Sequence, residues 1–459
     1  MSAAGTEISL ARELAAIVGE EHVREDAATL AGLSVEEVAP AVVVAPASAE
    51  EVAAVLRFAS SHDLTVVPAG GFIRQGIGGV PERVDVVLET RRLVALEHYD
   101  PGDLTLGAGA GMTLAALAEK LAANQQFLPV ESPRAEVETL GGLLATAASS
   151  PLRHGYGGLR DYCIGVHFVT GDGRIAKGGG RVVKNVAGYD LMKLLIGSFG
   201  TLGVIVSANF KVFPRPRQTA TFACDFVSAE EAVAFRDRLL RSALSPISLE
   251  IVSPRAHEYL REAPPPRNVD DLQPAAPVKL APGAWRVLLR AAGSDAVLAR
   301  YRRELGGAVS QEMSGDAEAA FWRQFLRFEG AVLKRHHNAM LMNVSLPLNA
   351  VAPALAAAEC ALDNNLLPAV IGRFGAGSLA IAFLPLLVDP PSAMQYVAAV
   401  SAFRGELPRD ASAVVTQCPR EAKLHFDVWG TSPTDRESMH KVKRAMDPAG
   451  VLNRGRLVV

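Results

Sequence analysis

Over the first half of the chain, apolar positions fall into short β-branched runs separated by stretches with helical spacing. Leu10–Val18 reads as a leading helix that ends near Gly19. Ala41-Val42-Val43-Val44-Ala45 is a short strand. Ser48-Ala49-Glu50-Glu51 is a capping box, after which Val52, Val55, Leu56 and Ala59 share one helix face. Leu64-Thr65-Val66-Val67-Pro68 follows as a second strand, so the unit is βαβ and predicts a parallel pair with a right-handed crossover. Further strands are expected at Val84–Leu88, Leu93–Glu97 and Leu104–Ala108. A helix from Thr113 to Ala123 then buries Leu114, Leu117, Ala118 and Leu121. Strand Cys163–Thr170 turns at Gly171-Asp172-Gly173 into Arg174–Lys177. Asp190 can cap a short helix buried through Leu191, Leu194 and Leu195. Gly197 can close that helix in a left-handed turn before strand Val204–Val206.

After Phe213-Pro214-Arg215-Pro216 the character changes. Strand Thr219–Phe226 leads to a second capping box at Ser228-Ala229-Glu230-Glu231, a helix to Arg241 and strand Ile247–Val252. Prolines 264, 265, 266, 274, 277 and 282 mark an exposed insertion between Arg261 and Gly283. Helices are expected at Asp295–Leu305, Asp316–Phe328, Ala350–Ala361 and Ser392–Phe403, with strands at Ala339–Leu346, Ser378–Phe383 and Ala413–Thr416. Such repetition predicts an α+β sheet domain.

Composition narrows the classes. A chain of 459 residues, 49% apolar, is globular and long enough for two domains. A net charge of −3 leaves no basic footprint for nucleic acid or anionic lipid. The first residues carry Glu7, Glu13, Glu20 and Glu21 among alanines, unlike a secretory signal. The apolar runs 338–358 and 375–388 are broken by Pro and Asn or too short to span a bilayer, so a soluble protein is expected. Cys163, Cys224, Cys360 and Cys418 lie far apart. That argues against an iron–sulfur or zinc site on this chain, gives no metal ligands, and fits a reducing cytoplasm.

Three glycine-rich stretches carry the candidate chemistry. Ala69-Gly70-Gly71-Phe72-Ile73-Arg74-Gln75-Gly76-Ile77-Gly78-Gly79 follows a strand end. It is either a mobile surface loop or a nest of main-chain N–H groups suited to a pyrophosphate. No Lys follows as in a P-loop, and Pro81 with a further strand replaces the helix of a Rossmann fingerprint. Thr139-Leu140-Gly141-Gly142-Leu143-Leu144-Ala145-Thr146-Ala147-Ala148-Ser149-Ser150 has small side chains. They allow either tight helix–sheet packing or approach of a phosphate to a helix N-terminus. Gly197-Ser198-Phe199-Gly200-Thr201-Leu202-Gly203 precedes the Val204 strand, and its glycines serve either turns alone or a planar ligand lying against main chain.

Taken in order, these stretches with Tyr156-Gly157, Arg160-Asp161, Thr170-Gly-Asp-Gly, Lys184-Asn-Val-Ala-Gly-Tyr-Asp-Leu and Gly200-Thr-Leu-Gly-Val-Ile resemble the vanillyl-alcohol-oxidase-like flavoproteins. Within that family the chain looks most like the FAD-binding subunit of bacterial glycolate oxidase. The resemblance covers Val42 to Pro216 and resumes at Phe321-Trp322-Arg323-Gln324 and at Met446-Asp447-Pro448-Ala449-Gly450-Val451-Leu452-Asn453. It implies a two-part FAD-binding domain of the p-cresol methylhydroxylase (PCMH) type under a C-terminal α+β, ferredoxin-like antiparallel cap. The implied divisions are a lead-in at 1–35, the FAD domain at 36–217, the cap at 218–440 and a tail at 441–459 returning to the FAD domain.

The same resemblance assigns roles. Gly70, Gly71, Phe72, Ile73, Arg74, Gln75 and Gly76 would hold the FAD pyrophosphate, with Thr139, Gly141 and Gly142 beside it. Ala145, Thr146 and Ser149 would flank the flavin, Gly203 and Val204 would contact the adenine side or the ring edge through main chain, and Pro133 and Gly155 complete the set. Relatives that attach flavin covalently use His or Cys in the glycine loop, where this chain has Phe72, Ile73 and Arg74; FAD is therefore expected to be non-covalent. The implied reaction is hydride abstraction from a 2-hydroxy acid such as glycolate or D-lactate. It needs a base and a carboxylate-binding cation, for which Arg335, His336, His337, Arg373 and His425 are the candidates. Trp322 and Phe325 read as helix core. The His-x-Gly-Asp-Gly-Asn-x-His motif of the stand-alone D-2-hydroxyacid dehydrogenases finds no match, which leaves a non-catalytic FAD-binding subunit as the alternative. Partners expected on the family pattern are a catalytic flavoprotein subunit and an iron–sulfur subunit, in the cytoplasm or peripheral to the inner membrane.

Overall fold

The computed structural model describes residues 10–181, 189–260, 283–387, 390–430 and 433–457. The Lys184–Gly188 part of the Gly-Tyr-Asp stretch and the proline-rich insertion lie outside the described residues.

The first sheet has the strand order Val23–Arg24, Val42–Val44, Val86–Glu89, Val66–Ala69. The last three strands are parallel, as the βαβ pattern requires, but Val86–Glu89 lies between the two predicted neighbours. All four of its residues are buried, and a strand apolar on both faces belongs inside a sheet. Helix Ala49–Ser61 begins where Ser48 accepts from the Glu51 N–H at 3.1 Å, and it buries Val52, Val55, Leu56 and Ala59 as expected. Leu14 and Val18 of the leading helix close the same core together with Val451 and Leu452 from the far end of the chain. That tail is anchored to the Val66 strand by Val66 N–H donating to Val451 O and Asn453 N–H donating to Val66 O, each at 2.9 Å.

The second sheet is antiparallel throughout, in the order Leu96–Asp100, Thr105–Gly109, Val204–Lys211, Cys163–Val169, Ile175–Gly179. The hairpin turn stands as predicted, with Gly173 at φ +78° and its N–H bonded to Thr170 O. Asp190 does not cap its helix; it pairs instead with Lys193 at 2.8 Å. The helix spans Leu191–Leu195 and buries Met192 and Leu195, whereas Leu194 is exposed and Leu191 only partly covered. So short a helix turns its apolar face by the residue next to the one expected. Gly197 does adopt the left-handed conformation, at φ +84°.

Beyond residue 215 lies one antiparallel sheet of eight strands. Its order is Gln311–Ser314, Thr219–Phe226, Trp285–Ala292, Ser248–Val252, Leu366–Arg373, Ser378–Pro385, Met340–Ser345, Ser412–Gln417. In chain order this is two βαββαβ repeats, each with the split ferredoxin-like arrangement, joined edge to edge at their second strands. The seam pairs Glu250 with Arg373 and Val252 with Ile371. Helices Ala229–Leu240, Asp295–Leu305, Val351–Ala358 and Ala393–Gly405 cover one face. Helices Gly315–Leu326 and Phe328–Arg335 cover part of the other, with Trp322 and Phe325 in the core as read from sequence. The central strand Leu366–Arg373 escaped the pattern search because seven of its eight residues are buried, so it does not alternate. Among the described residues no helix is long and apolar enough to cross a membrane.

Candidate functional site

Between the two small sheets the strand ends open onto a cleft. Gly70, Gly71, Phe72, Ile73, Arg74, Gln75, Thr139, Gly141, Gly142, Ala145, Thr146, Gly203 and Val204 all line it, as does Phe199. Three separated glycine stretches thus converge, which favours the ligand-binding alternative over three unrelated turns. Gly76 lies just outside the wall, its carbonyl turned to Lys423. Pro133 is exposed on a turn. Ser149 and Gly155 belong to the boundary with the cap: Ser149 O accepts from Arg373 Nη2 at 2.9 Å, and Gly155 N–H donates to Ile247 O at 3.1 Å. Sequence reasoning missed Thr90, Glu138, Asn453 and Arg456 in the wall. The last two sit in and just past the Met446–Asn453 motif, which was the available signal.

The main chain explains why the loop suits an anion. Among the described residues, none of the N–H groups of Gly70 to Gly76 donates to a protein acceptor. Phe72 is left-handed at φ +55°, so successive peptides there form a nest. Phe199 at φ +52° and Asn453 at φ +46° are two more left-handed non-glycine residues in the wall, and such strain gathers where a ligand is gripped. Asn453 Nδ2 donates to Phe199 O at 2.6 Å and ties the two together.

The helix expected to offer its N-terminus does not. It spans only Leu140–Ala145, and its first N–H groups are spent: Leu140 on Met112 O, Gly141 on Ala110 O, and Gly142 on Thr139 Oγ1. Several glycines likewise answer to packing. A Cβ on Gly70 would fall 2.0 Å from Thr139 Oγ1, and one on Gly71 2.1 Å from Val137 O. At Gly142 the nearest atom would be Thr139 Oγ1 at 3.2 Å, so that is the glycine whose bare Cα leaves room in the cleft. Arg74 is ion-paired with buried Glu138, which also accepts from Ser132, and burial holds the Arg74 guanidinium below its ordinary pKa. No His or Cys stands in the described lining.

The candidates from the cap do not assemble into one site. His336 is 9% exposed beneath helix Phe328–Arg335, its Nε2 2.9 Å from the Tyr259 hydroxyl, and burial lowers its pKa. Arg335 lies over the Tyr259 ring and donates to Glu258 O, while His337 and His425 are exposed. Of the five, only Arg373 reaches the FAD-domain boundary. Beside it on the seam stands Glu250, 1% exposed, with neither carboxylate oxygen bonded to a described residue. Burial pushes the Glu250 carboxyl up to about 8, Arg373 opposing the shift and Glu131 adding to it. The Ser149 and Ser248 hydroxyls are buried and similarly unpartnered. Glu131 itself pairs with Arg290 at 2.8 Å across the boundary.

Fold and cleft define a two-domain flavin-binding protein. Residues 40–179 match the FAD binding domain, and residues 215–407 match the C-terminal domain of FAD linked oxidases. Together these cover most of the chain, which belongs to the FAD-linked oxidase family. It is 37% identical to a D-lactate dehydrogenase of Archaeoglobus fulgidus over 47% of this chain and 48% of that protein. It is 38% identical to glycolate oxidase subunit GlcE of Escherichia coli over 32% of this chain and 42% of that one. Against these two the chain spans about half of the relative's length or less. The mitochondrial cytochrome D-lactate dehydrogenase of Arabidopsis thaliana matches more extensively, at 25% identity over 91% of this chain and 73% of that protein. Among solved structures, p-cresol methylhydroxylase superposes with a TM-score of 0.73 at 17% identity, covering 97% of this chain and 95% of that one. The 4-ethylphenol oxidase of Gulosibacter chungangensis gives 0.71 at 16%, covering 98% of each. These superpositions establish the fold.

Proposed function

We propose that the chain holds FAD non-covalently in this cleft and is the flavin-bearing component of an oxidoreductase acting on a 2-hydroxy acid such as glycolate or D-lactate. The observation that carries the reading is the run of unspent N–H groups from Gly70 to Gln75, in the wall where three glycine stretches converge. A dinucleotide pyrophosphate satisfies such donors through its oxygens. Covalent attachment lacks a nucleophile in the described wall.

Bound flavin supplies a hydride acceptor. On the protein side, Arg373 would hold a substrate carboxylate; supporting this, it stands on the cap seam and donates to Ser149 O, a few residues past the cleft helix. Glu250, adjacent, can take up the hydroxyl proton in its carboxylate form, and the burial that raises its carboxyl to about 8 makes that carboxylate a stronger base. His336, bonded within its own core, is left a structural role. Electrons leave through a partner iron–sulfur subunit, consistent with four separated cysteines on this chain. The divisions 36–217 and 218–440, with the tail from 441 returning to the first, are the working domain boundaries, and the cytoplasm is the working location.

A second reading is favoured by one specific observation. The sequence carries no His-x-Gly-Asp-Gly-Asn-x-His motif of the stand-alone dehydrogenases, which suits an FAD-binding subunit beside a separate catalytic flavoprotein. Anaerobic mixing of the FAD-loaded chain with glycolate or D-lactate separates the two. Bleaching of the flavin absorbance supports the first reading; a flavin that stays oxidised until the partner flavoprotein is added supports the second.

A further inference from the structure

The glycine loop is pinned at its two ends by different parts of the chain. At its start, Gly70 and Gly71 press against Thr139 and Val137, and Arg91 Nε donates to Gly70 O at 2.9 Å. Among the described residues, the side chains that donate to its far-end carbonyls come from much later in the chain. There, Arg456 Nη1 donates to Gly79 O at 2.7 Å, and Arg456 Nη2 to Ile77 O at 2.5 Å and to Gln75 O. Lys423 Nζ donates to Gly76 O at 2.5 Å and pairs with Glu36 at 2.6 Å. The carbonyls at the loop's exit are thus held by two cations, 4% and 5% exposed. Both lie beyond residue 407, outside either matched domain.

The two cations differ in their charge balance. Lys423 is neutralised by Glu36. Arg456 has no described carboxylate in ion-pair contact, Glu36 acting on it only at longer range, and burial lowers its pKa to about 10. An uncompensated buried charge is costly unless a counter-ion completes the site. Arg456 is itself part of the cleft wall, facing the space where the free N–H groups converge.

We infer that Arg456 and Lys423 are positioning residues of the phosphate loop, so that the C-terminal end of the chain sets the affinity for the FAD pyrophosphate. The inference rests on the cleft being the FAD site. Arg456 fixes the loop exit and supplies the positive field; Lys423, cancelled by Glu36, acts through the Gly76 carbonyl alone. The two roles separate in salt, because only an uncompensated charge makes binding of an anion weaken with ionic strength.

The test is titration of full-length apoprotein with FAD at low and high salt, alongside the melting temperature of the apoprotein. R456M is expected to weaken FAD by about tenfold and to flatten the salt dependence. R456K, which keeps the charge and loses the fork, should recover part of the affinity and all of the salt dependence. K423M combined with E36Q should weaken FAD by about threefold with the salt dependence unchanged, since the removed pair was neutral. FAD affinity within error of wild type in R456M and in the double variant overturns the inference. A loss in R456M that tracks a fall in melting temperature, with the salt dependence intact, overturns it also. If R456M does not fold, R456K decides: undiminished affinity rejects the role. Wild-type protein that binds no FAD removes the cofactor reading itself, a separate result.

Discussion

The cofactor cleft and the seam of the cap sheet both present unsatisfied polar groups, but they are built from different parts of the chain's chemistry. In the cleft the free groups are main-chain N–H donors of consecutive residues, Gly70 to Gly76. At the seam they are side-chain atoms of Glu250, Arg373, Ser248 and Ser149, drawn from two strands and a turn far apart in sequence. A main-chain site must use local backbone freedom, so it writes itself into the sequence as glycine runs. A side-chain site on a sheet needs only one residue per strand, and it leaves no local mark.

The largest effect expected on the cleft side comes from its distant support. Asp447 is 1% exposed, pairs with Lys443 at 2.6 Å and accepts from the Val451 and Leu452 N–H groups. D447A leaves half-buried Lys443 with only the Thr201 and Leu452 carbonyls and leaves the Val451 and Leu452 N–H groups without an acceptor, and should cost about 3 kcal/mol, seen as a lower denaturation midpoint. Next, G71V places its Cβ against the Val137 carbonyl and should cost about 3 kcal/mol in stability even without cofactor. G142V, whose Cβ would meet the Thr139 hydroxyl at 3.2 Å rather than a backbone carbonyl, should cost the apoprotein less than G71V and weaken FAD retention. Equal damage to both proteins would erase the distinction between packing and ligand-facing glycines.

On the seam side, R373M should keep FAD and lose about 2 kcal/mol of 2-hydroxy acid binding, read as a rise in the substrate concentration needed to reduce the flavin. Unchanged reduction would remove Arg373 from the site. The smallest effect concerns pH. The Glu250 carboxyl is raised to about 8 in the fold, so the folded chain binds more protons than the unfolded one between an ordinary carboxyl pKa and that value. Its stability contribution is therefore full at acidic pH and declines as pH rises, by at most about 1.4 kcal/mol per unit. E250Q should flatten that decline in urea melts at several pH values; an unchanged slope would show that another group is responsible.

How much was legible follows the same division. The two capping boxes at Ser48 and Ser228, the hairpin at Gly173 and thirteen wall residues of the cleft were readable because each depends on neighbours in sequence. The insertion of Val86–Glu89 between the first two parallel strands was not, since strand order is decided by burial of both faces. Nor was the six-residue helix whose N–H groups are already taken, because only the fold shows Ala110 and Met112 lying opposite them. Among the proposed catalytic residues, adjacent titratable letters at 335–337 misled: His336 is held by Tyr259 under a helix, while the buried acid beside Arg373 is a single Glu in an otherwise ordinary strand.

The account turns on main-chain recognition of a dinucleotide, and equilibrium titration of purified apoprotein with FAD tests it most directly. Saturable binding of one flavin per chain, weakened in G142V and fully released on unfolding, is the expected result. Protein that remains colourless with excess FAD, or flavin that stays attached to the unfolded chain, would contradict it.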